Sequence, residues 1–77
     1  MALTKLQKRL VQTIKHSGMD AKRASVILTG LETEQQQWAM LDWMDAYYDE
    51  TGAYPTEGPI AAALSKILEK FPKTKAA

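Results

Sequence analysis

The sequence predicts an all-α protein, a single small domain over residues 1–77 built from four short helices in a compact bundle. Apolar residues recur at spacings of three and four, which is the period of a helix with one buried stripe. Each run follows a capping residue and stops near Gly or Pro. No stretch alternates apolar and polar residues as a half-buried strand would. The predicted helices are residues 4–16, 20–30, 33–50 and 56–71, and residues 72–77 form a polar tail.

The first two helices each carry one apolar stripe. The stripe of the first helix contains Leu3, Leu6, Leu10 and Ile14. The stripe of the second contains Ala24, Ile27, Leu28 and Leu31. Thr4 is the expected N-cap of the first helix and Gly18 its stop, while Asp20 is the expected N-cap of the second.

The third and fourth helices are separated by a Gly-Pro turn. Thr33, with Gln36 three residues later, matches a capping box and starts the third helix. Gly52 and Pro55 end it, and Thr56 is the expected N-cap of the fourth. One face of the fourth helix contains Ile60, Leu64, Ile67, Leu68 and Phe71.

Composition limits the chain to one soluble domain. It has 77 residues, of which 45% are hydrophobic and 25% charged, a balance typical of a globular chain. A core this small is thin, so association with a second copy is an expected supplement. The absence of cysteine and of a long apolar run predicts a cytoplasmic protein that does not enter a membrane.

The sequence predicts neither catalysis nor a cofactor. His16 is the only histidine, and its place at the end of a helix has an electrostatic explanation in the helix dipole. Without cysteine, and with serines in unrelated contexts, no nucleophile and base can be paired. Asp42, Asp45 and Asp49 lie on one helical edge, but one edge supplies too few converging oxygens for a metal ion. A solvated acidic edge is the expectation.

The segment "TGAYPTEGPIAAALSKILEK", residues 51–70, resembles the opening of winged-helix repressors of the LexA type. In that family a Gly-Tyr-Pro turn precedes an Ile-Ala-x-x-Leu helix, and the resemblance implies a DNA-reading helix-turn-helix. Such a motif needs a second helix after the turn, because the second helix is the one that enters the major groove. The apolar period instead continues unbroken from Ile60 to Phe71, and Pro72 follows. The turn is therefore interpreted as a hinge between two packed helices.

The formal net charge of +1 hides a polarised distribution. Bases are concentrated in residues 1–25 and acids in residues 32–57. The basic face of the first helix consists of Lys5, Lys8, Arg9 and Lys15. Clustered bases are the usual electrostatic footprint of nucleic-acid binding, so weak binding through this face is the alternative function.

The third helix gives the leading functional hypothesis, because apolar residues nearly surround it. Such a helix either crosses the middle of the bundle or offers part of its surface to a partner. Tryptophan is enriched at binding hot spots, and Trp38 lies beside these three aspartates on the helix. The candidate partner-binding residues are Trp38, Asp42, Asp45 and Asp49, with Met40 and Trp43 contributing if the apolar flank is exposed.

These features predict a non-enzymatic protein-interaction or regulatory module. Its partner would be another protein, with a second copy of the chain as one candidate. In general style the chain resembles the small accessory proteins of phages and mobile elements, which act by blocking or adapting another protein. No specific motif carries that resemblance.

Overall fold

The computed structural model describes residues 3–72, and four helices account for most of them. The predicted all-α fold is confirmed, and residues 3–72 contain no strand. The predicted polar tail falls almost wholly on residues 73–77, which lie outside the described residues. The helices are α1 (Lys5–His16), α2 (Ala21–Gly30), α3 (Glu34–Thr51) and α4 (Glu57–Lys70).

Side-chain caps explain where three of the helices begin. The Thr33 hydroxyl accepts from the Gln36 amide at 3.1 Å, and Gln36 Oε1 accepts from the Thr33 amide at 3.1 Å. An equivalent capping box starts α1. Asp20 caps α2 by accepting from the Arg23 amide at 2.8 Å. Thr56 occupies the N-cap position of α4 as predicted, but its side chain makes no cap hydrogen bond.

The core lies where the stripes of all four helices meet. Helix α3 packs against both α1 and α4, and α1 also packs against α2. This position between two helices explains why the apolar surface of α3 is wider than one stripe. The buried apolar residues are Leu10, Ile14, Met19, Ala24, Leu28, Leu31, Met40, Leu41, Met44, Ile60, Ala63 and Ile67.

Two buried glutamines tie the start of α3 to the ends of its neighbours. Gln36 Nε2 donates to the Phe71 carbonyl oxygen at 2.6 Å, immediately after α4. Gln37 Nε2 donates to the Leu31 carbonyl oxygen at 2.9 Å, immediately after α2. Both contacts satisfy carbonyl groups at helix ends that lack a partner within the helix. Polar side chains therefore fix how α3 is placed against α2 and α4.

The turn after α3 has the conformation that its glycine predicts. Gly52 has φ +79°, the left-handed region, and its amide donates to the Tyr48 carbonyl oxygen at 2.7 Å. This is a glycine-terminated helix end. Pro55 is fully buried within the turn. The segment joins two packed helices, and α4 then continues without interruption to Lys70.

Leu68 departs from the predicted stripe of α4, because 37% of its surface is exposed. Its neighbour Ile67 faces the core, whereas Leu68 lies at the edge of the stripe next to α2. Gly30 lines the same shallow surface cavity and has no side chain to cover Leu68. The periodicity places Leu68 on the apolar face, but the neighbouring helix does not bury it.

Candidate interaction surface

The outward edge of α3 presents an exposed tryptophan beside carboxylates. Trp38 has 45% of its surface exposed, and Asp42 lies one turn further along as an exposed neighbour. Residues four apart share a face of a helix, so the indole and the carboxylate form one surface. Asp49 is also exposed, nearly two turns beyond Asp42. The acidic edge is defined as Trp38, Asp42, Asp45 and Asp49.

One carboxylate of the acidic edge is already paired within the chain. Arg9 Nη2 of α1 lies 3.8 Å from Asp45 Oδ2, and both side chains are well exposed. An exposed ion pair of this kind contributes at most about 1 kcal/mol to stability. Its main effect is on charge, since Arg9 offsets part of the acidic edge and is itself partly neutralised.

Met40 is wrong as a partner-binding candidate, because it is fully buried in the core. At about 100° per residue, Met40 is roughly 200° around α3 from Trp38, on the opposite side. Trp43 is intermediate: it is partly buried against the core, and its ring lies 5.7 Å from that of Tyr47. The contact surface that α3 offers is consequently narrower than the sequence suggests, with Trp38 as its main apolar group.

The basic face of α1 remains on the surface as expected. Lys5, Lys8 and Lys15 are all exposed, while Arg9 turns toward Asp45. Lys15 also lines an open surface cavity of about 300 Å³ with Gln12 and His16. All four bases of the sequence pattern are therefore exposed on α1, and Arg9 alone of them is paired with a carboxylate of α3.

An aromatic group at the end of α1 is not predicted by the sequence pattern. The His16 and Tyr54 rings stack with centroids 5.9 Å apart and planes 20° apart. Tyr54 also lies 4.6 Å from the Tyr48 ring, centroid to centroid. The turn after α3 brings Tyr54 back over the end of α1. The spacing of residues along the sequence does not predict this contact, because the contact depends on how α1, α3 and the turn after α3 pack together.

The described part of the chain offers no grouping suited to a metal ion. Between residues 3 and 72, no three or more His, Asp or Glu side chains come close enough together to hold one. The three aspartates of the acidic edge are distributed along two turns of α3 and point outward. A hard cation takes six or more oxygen ligands that converge on one point.

Similarity to known proteins gives no functional assignment. No protein-family model, no curated protein and no solved structure matches the chain. None of the helices within residues 3–72 is both long and apolar enough to cross a membrane. A small helical fold does not specify a function. Inference about binding must therefore start from the exposed side chains.

Proposed function

We propose that the chain is a non-enzymatic protein-interaction or regulatory module that contacts its partner through the acidic edge of α3. The exposure of Trp38 next to Asp42 carries this proposal. A tryptophan that is half in solvent contributes little to the core but supplies a large apolar surface to a partner. Tryptophan is among the residues that most often dominate binding energy in interfaces.

The partner that fits this surface presents a basic, partly apolar segment. Asp42 and Asp49 are exposed carboxylates, so the acidic edge presents negative charge to solvent. Complementary charges on two partners raise the rate at which they associate, and they fix the orientation in which the partners bind. The intramolecular contact of Arg9 with Asp45 is an example of the pairing that a partner's arginine or lysine would make. Arginine suits such contacts because its planar group binds carboxylates in two places.

Capture from a lysate of the source cell with tagged variants tests this proposal. The wild-type chain is expected to retain a basic protein that Trp38→Ala loses. Tyr48→Ala is the matched control, because Tyr48 is also an aromatic residue of α3 with 45% of its surface exposed. Raising the salt concentration should release the captured protein, since screening weakens exposed charge pairs.

Two results would contradict the proposal. Equal capture by the wild-type chain and Trp38→Ala would remove Trp38 from the contact. Loss of capture by Tyr48→Ala alone would move the contact to the aromatic group at the end of α1, where Tyr48 lies beside Tyr54. Circular dichroism of each variant must show unchanged helicity for either result to count.

Weak nucleic-acid binding through α1 is the second candidate function. The observation that favours it is the aromatic group of His16, Tyr54 and Tyr48 beside Lys15. Proteins that bind single strands combine bases that track phosphates with rings on which nucleobases stack. The carboxylates of α3 oppose this function, because they repel phosphate. It therefore ranks below the protein-interaction proposal.

Any nucleic-acid binding is expected to be weak, insensitive to sequence and steeply dependent on salt. Lysine contacts to phosphates carry no sequence information, and each releases counterions. Fluorescence anisotropy with labelled single strands of different sequence, at several salt concentrations, measures this. Lys8→Glu should weaken binding, whereas Lys22→Glu on α2 should have a smaller effect. Tight binding to one particular sequence at physiological salt would show that the interpretation of the hinge is wrong.

A further inference from the structure

Helix α2 contributes little to the core. Of its ten residues, only Ala24 and Leu28 are buried. Ala24 is small, and Leu28 still exposes 9% of its surface. By contrast, α1 buries Leu10 and Ile14 completely, and α4 buries Ile60 completely. Because burial of apolar side chains is the dominant stabilising term in folding, α2 is held more weakly than its neighbours.

Helix α2 is also supported along one side only. It packs closely against α1 but not against α4. A shallow groove of about 120 Å³ lies between α2 and α4, with Val26 and Ile27 on one side and Ala61 and Leu64 on the other. Val26 is 62% exposed. Apolar side chains that border a gap lose dispersion contacts there, so α4 does little to stabilise α2.

The composition of α2 disfavours a helix. Its sequence is AKRASVILTG, and the second half contains Val26, Ile27, Thr29 and Gly30. Residues of these four types are less favourable in a helix than Ala, Leu, Lys or Glu. The Thr29 hydroxyl donates to the Ser25 carbonyl oxygen at 2.8 Å, a local bond that slightly destabilises helices. Nine of the fourteen residues of α4, in contrast, are Ala, Leu, Lys or Glu. Intrinsic preference therefore supports α4 but not α2.

Charges weaken the start of α2 as well. Lys22 and Arg23 lie in its first turn, whereas its last turn contains no base. The N-terminal end of a helix dipole is positive, so bases there are unfavourable. Arg23 forms an ion pair with Glu57 of α4, but both side chains are about half exposed. Exposed ion pairs contribute little to stability, so this link across the groove holds α2 only weakly.

The chain is anchored just after α2 rather than within it. Leu31 is buried, and its carbonyl oxygen accepts from Gln37 Nε2 at 2.9 Å. This anchor keeps the chain beside α3 when the turns of α2 separate from α1. Helix α1 meanwhile retains its packing against α3, and α3 retains its packing against α4. The rest of the core can therefore stay assembled while α2 opens.

We infer that α2 opens as a separate unit while α1, α3 and α4 stay folded. Folded proteins open locally in contiguous segments, and the segments with the fewest buried apolar contacts open most readily. Each opening uncovers the side of α1 against which α2 packs, so α2 acts as a movable cover over that side. The acidic edge belongs to α3, which stays folded. Opening of α2 therefore does not depend on the proposed partner contact.

Amide hydrogen exchange of the whole chain, followed residue by residue by NMR under native conditions, tests the inference. The amides of residues 25–30 are expected to exchange at least about tenfold faster, relative to their unprotected rates, than the slowest amides of α1, α3 and α4. The difference arises because the α2 amides exchange from the local opening, whereas the slowest amides exchange only when the whole fold opens.

Ala46→Gly distinguishes local from global opening. Ala46 is exposed in the middle of α3, where glycine should raise the exchange rate of the slowest α3 amides about fivefold. The α2 amides should keep their wild-type rates, because α3 remains folded when α2 opens. Thr29→Ala is the matched variant within α2. Thr29 is exposed and alanine favours the helix, so the α2 amides should exchange about threefold more slowly.

Any of four results would overturn the inference. Exchange of the α2 amides as slow as that of the α3 amides would show that α2 opens only in global unfolding. Equal acceleration of the α2 and α3 amides in Ala46→Gly would show the same. Exchange of α4 as fast as that of α2 would mean that α2 does not open alone. Unchanged α2 exchange in Thr29→Ala would mean that loss of the α2 helix is not the opening step.

Discussion

Leu41→Ala is expected to lower the free energy of unfolding by about 2–5 kcal/mol, the range typical of truncating a buried leucine. Leu41 is almost fully buried in the core, where α3 meets its neighbours. Trp38→Ala removes a larger side chain from the same helix but should cost less, because Trp38 is 45% exposed. Urea denaturation of both variants, followed by circular dichroism, measures the difference.

The comparison separates a core residue from a contact residue. If Trp38→Ala destabilises the fold as much as Leu41→Ala, Trp38 is a core residue, and the acidic edge has no exposed apolar group with which to bind a partner. The same experiment with Met40→Ala provides a second core reference, because Met40 is fully buried on the opposite side of α3. Met40→Ala should fall in the range of Leu41→Ala.

Gln36→Ala is expected to lower the free energy of unfolding by about 1–3 kcal/mol, the cost of leaving a buried polar group without its partner. The change leaves the Phe71 carbonyl oxygen without its donor and removes the acceptor of the Thr33 amide. It also frees the end of α4 from α3. Thermal or urea denaturation measures the loss.

Gln7→Ala is the matched control for Gln36→Ala. Gln7 holds the same position in the capping box of α1, where its Oε1 accepts from the Thr4 amide at 2.9 Å, near the surface. Gln7→Ala should lower the free energy of unfolding by about 0.5–1.5 kcal/mol, which is the net contribution of one ordinary hydrogen bond. Equal losses for the two variants would mean that the contact with Phe71 does not stabilise the fold.

Local signals were sufficient to predict the helices. Capping residues such as Asp20 and Thr33 act on amides three residues away, so the sequence alone contains both partners. Apolar periodicity indicated the core side of α1, α2 and α4, but not that of α3, because apolar residues nearly surround that helix. Thr56 shows the limit of this reasoning, because its type and position suit a cap that its side chain does not make.

Contacts between helices could not be predicted from local patterns. The bond of Gln36 to Phe71 and the stacking of His16 on Tyr54 join residues far apart in the sequence. Leu68 follows the apolar period but is exposed, because burial requires a neighbour of the right size. Packing geometry decides such cases, and a single sequence does not specify it.

The candidate site was predictable in part. Helical spacing correctly placed Trp38 and Asp42 together on an exposed edge of α3. The same spacing puts Met40 on the opposite side, so its inclusion among the contact residues did not follow from the helix geometry. The pairing of Arg9 with Asp45 required knowledge that α1 lies next to α3.

The most direct measurement is the affinity of Trp38→Ala for the captured partner, determined by titration calorimetry beside the wild-type chain and Tyr48→Ala. We expect Trp38→Ala to weaken binding by more than about tenfold, which corresponds to about 1.4 kcal/mol, with Tyr48→Ala close to the wild-type value. Unchanged affinity of a fully folded Trp38→Ala variant would contradict the proposal that the acidic edge of α3 is the contact surface.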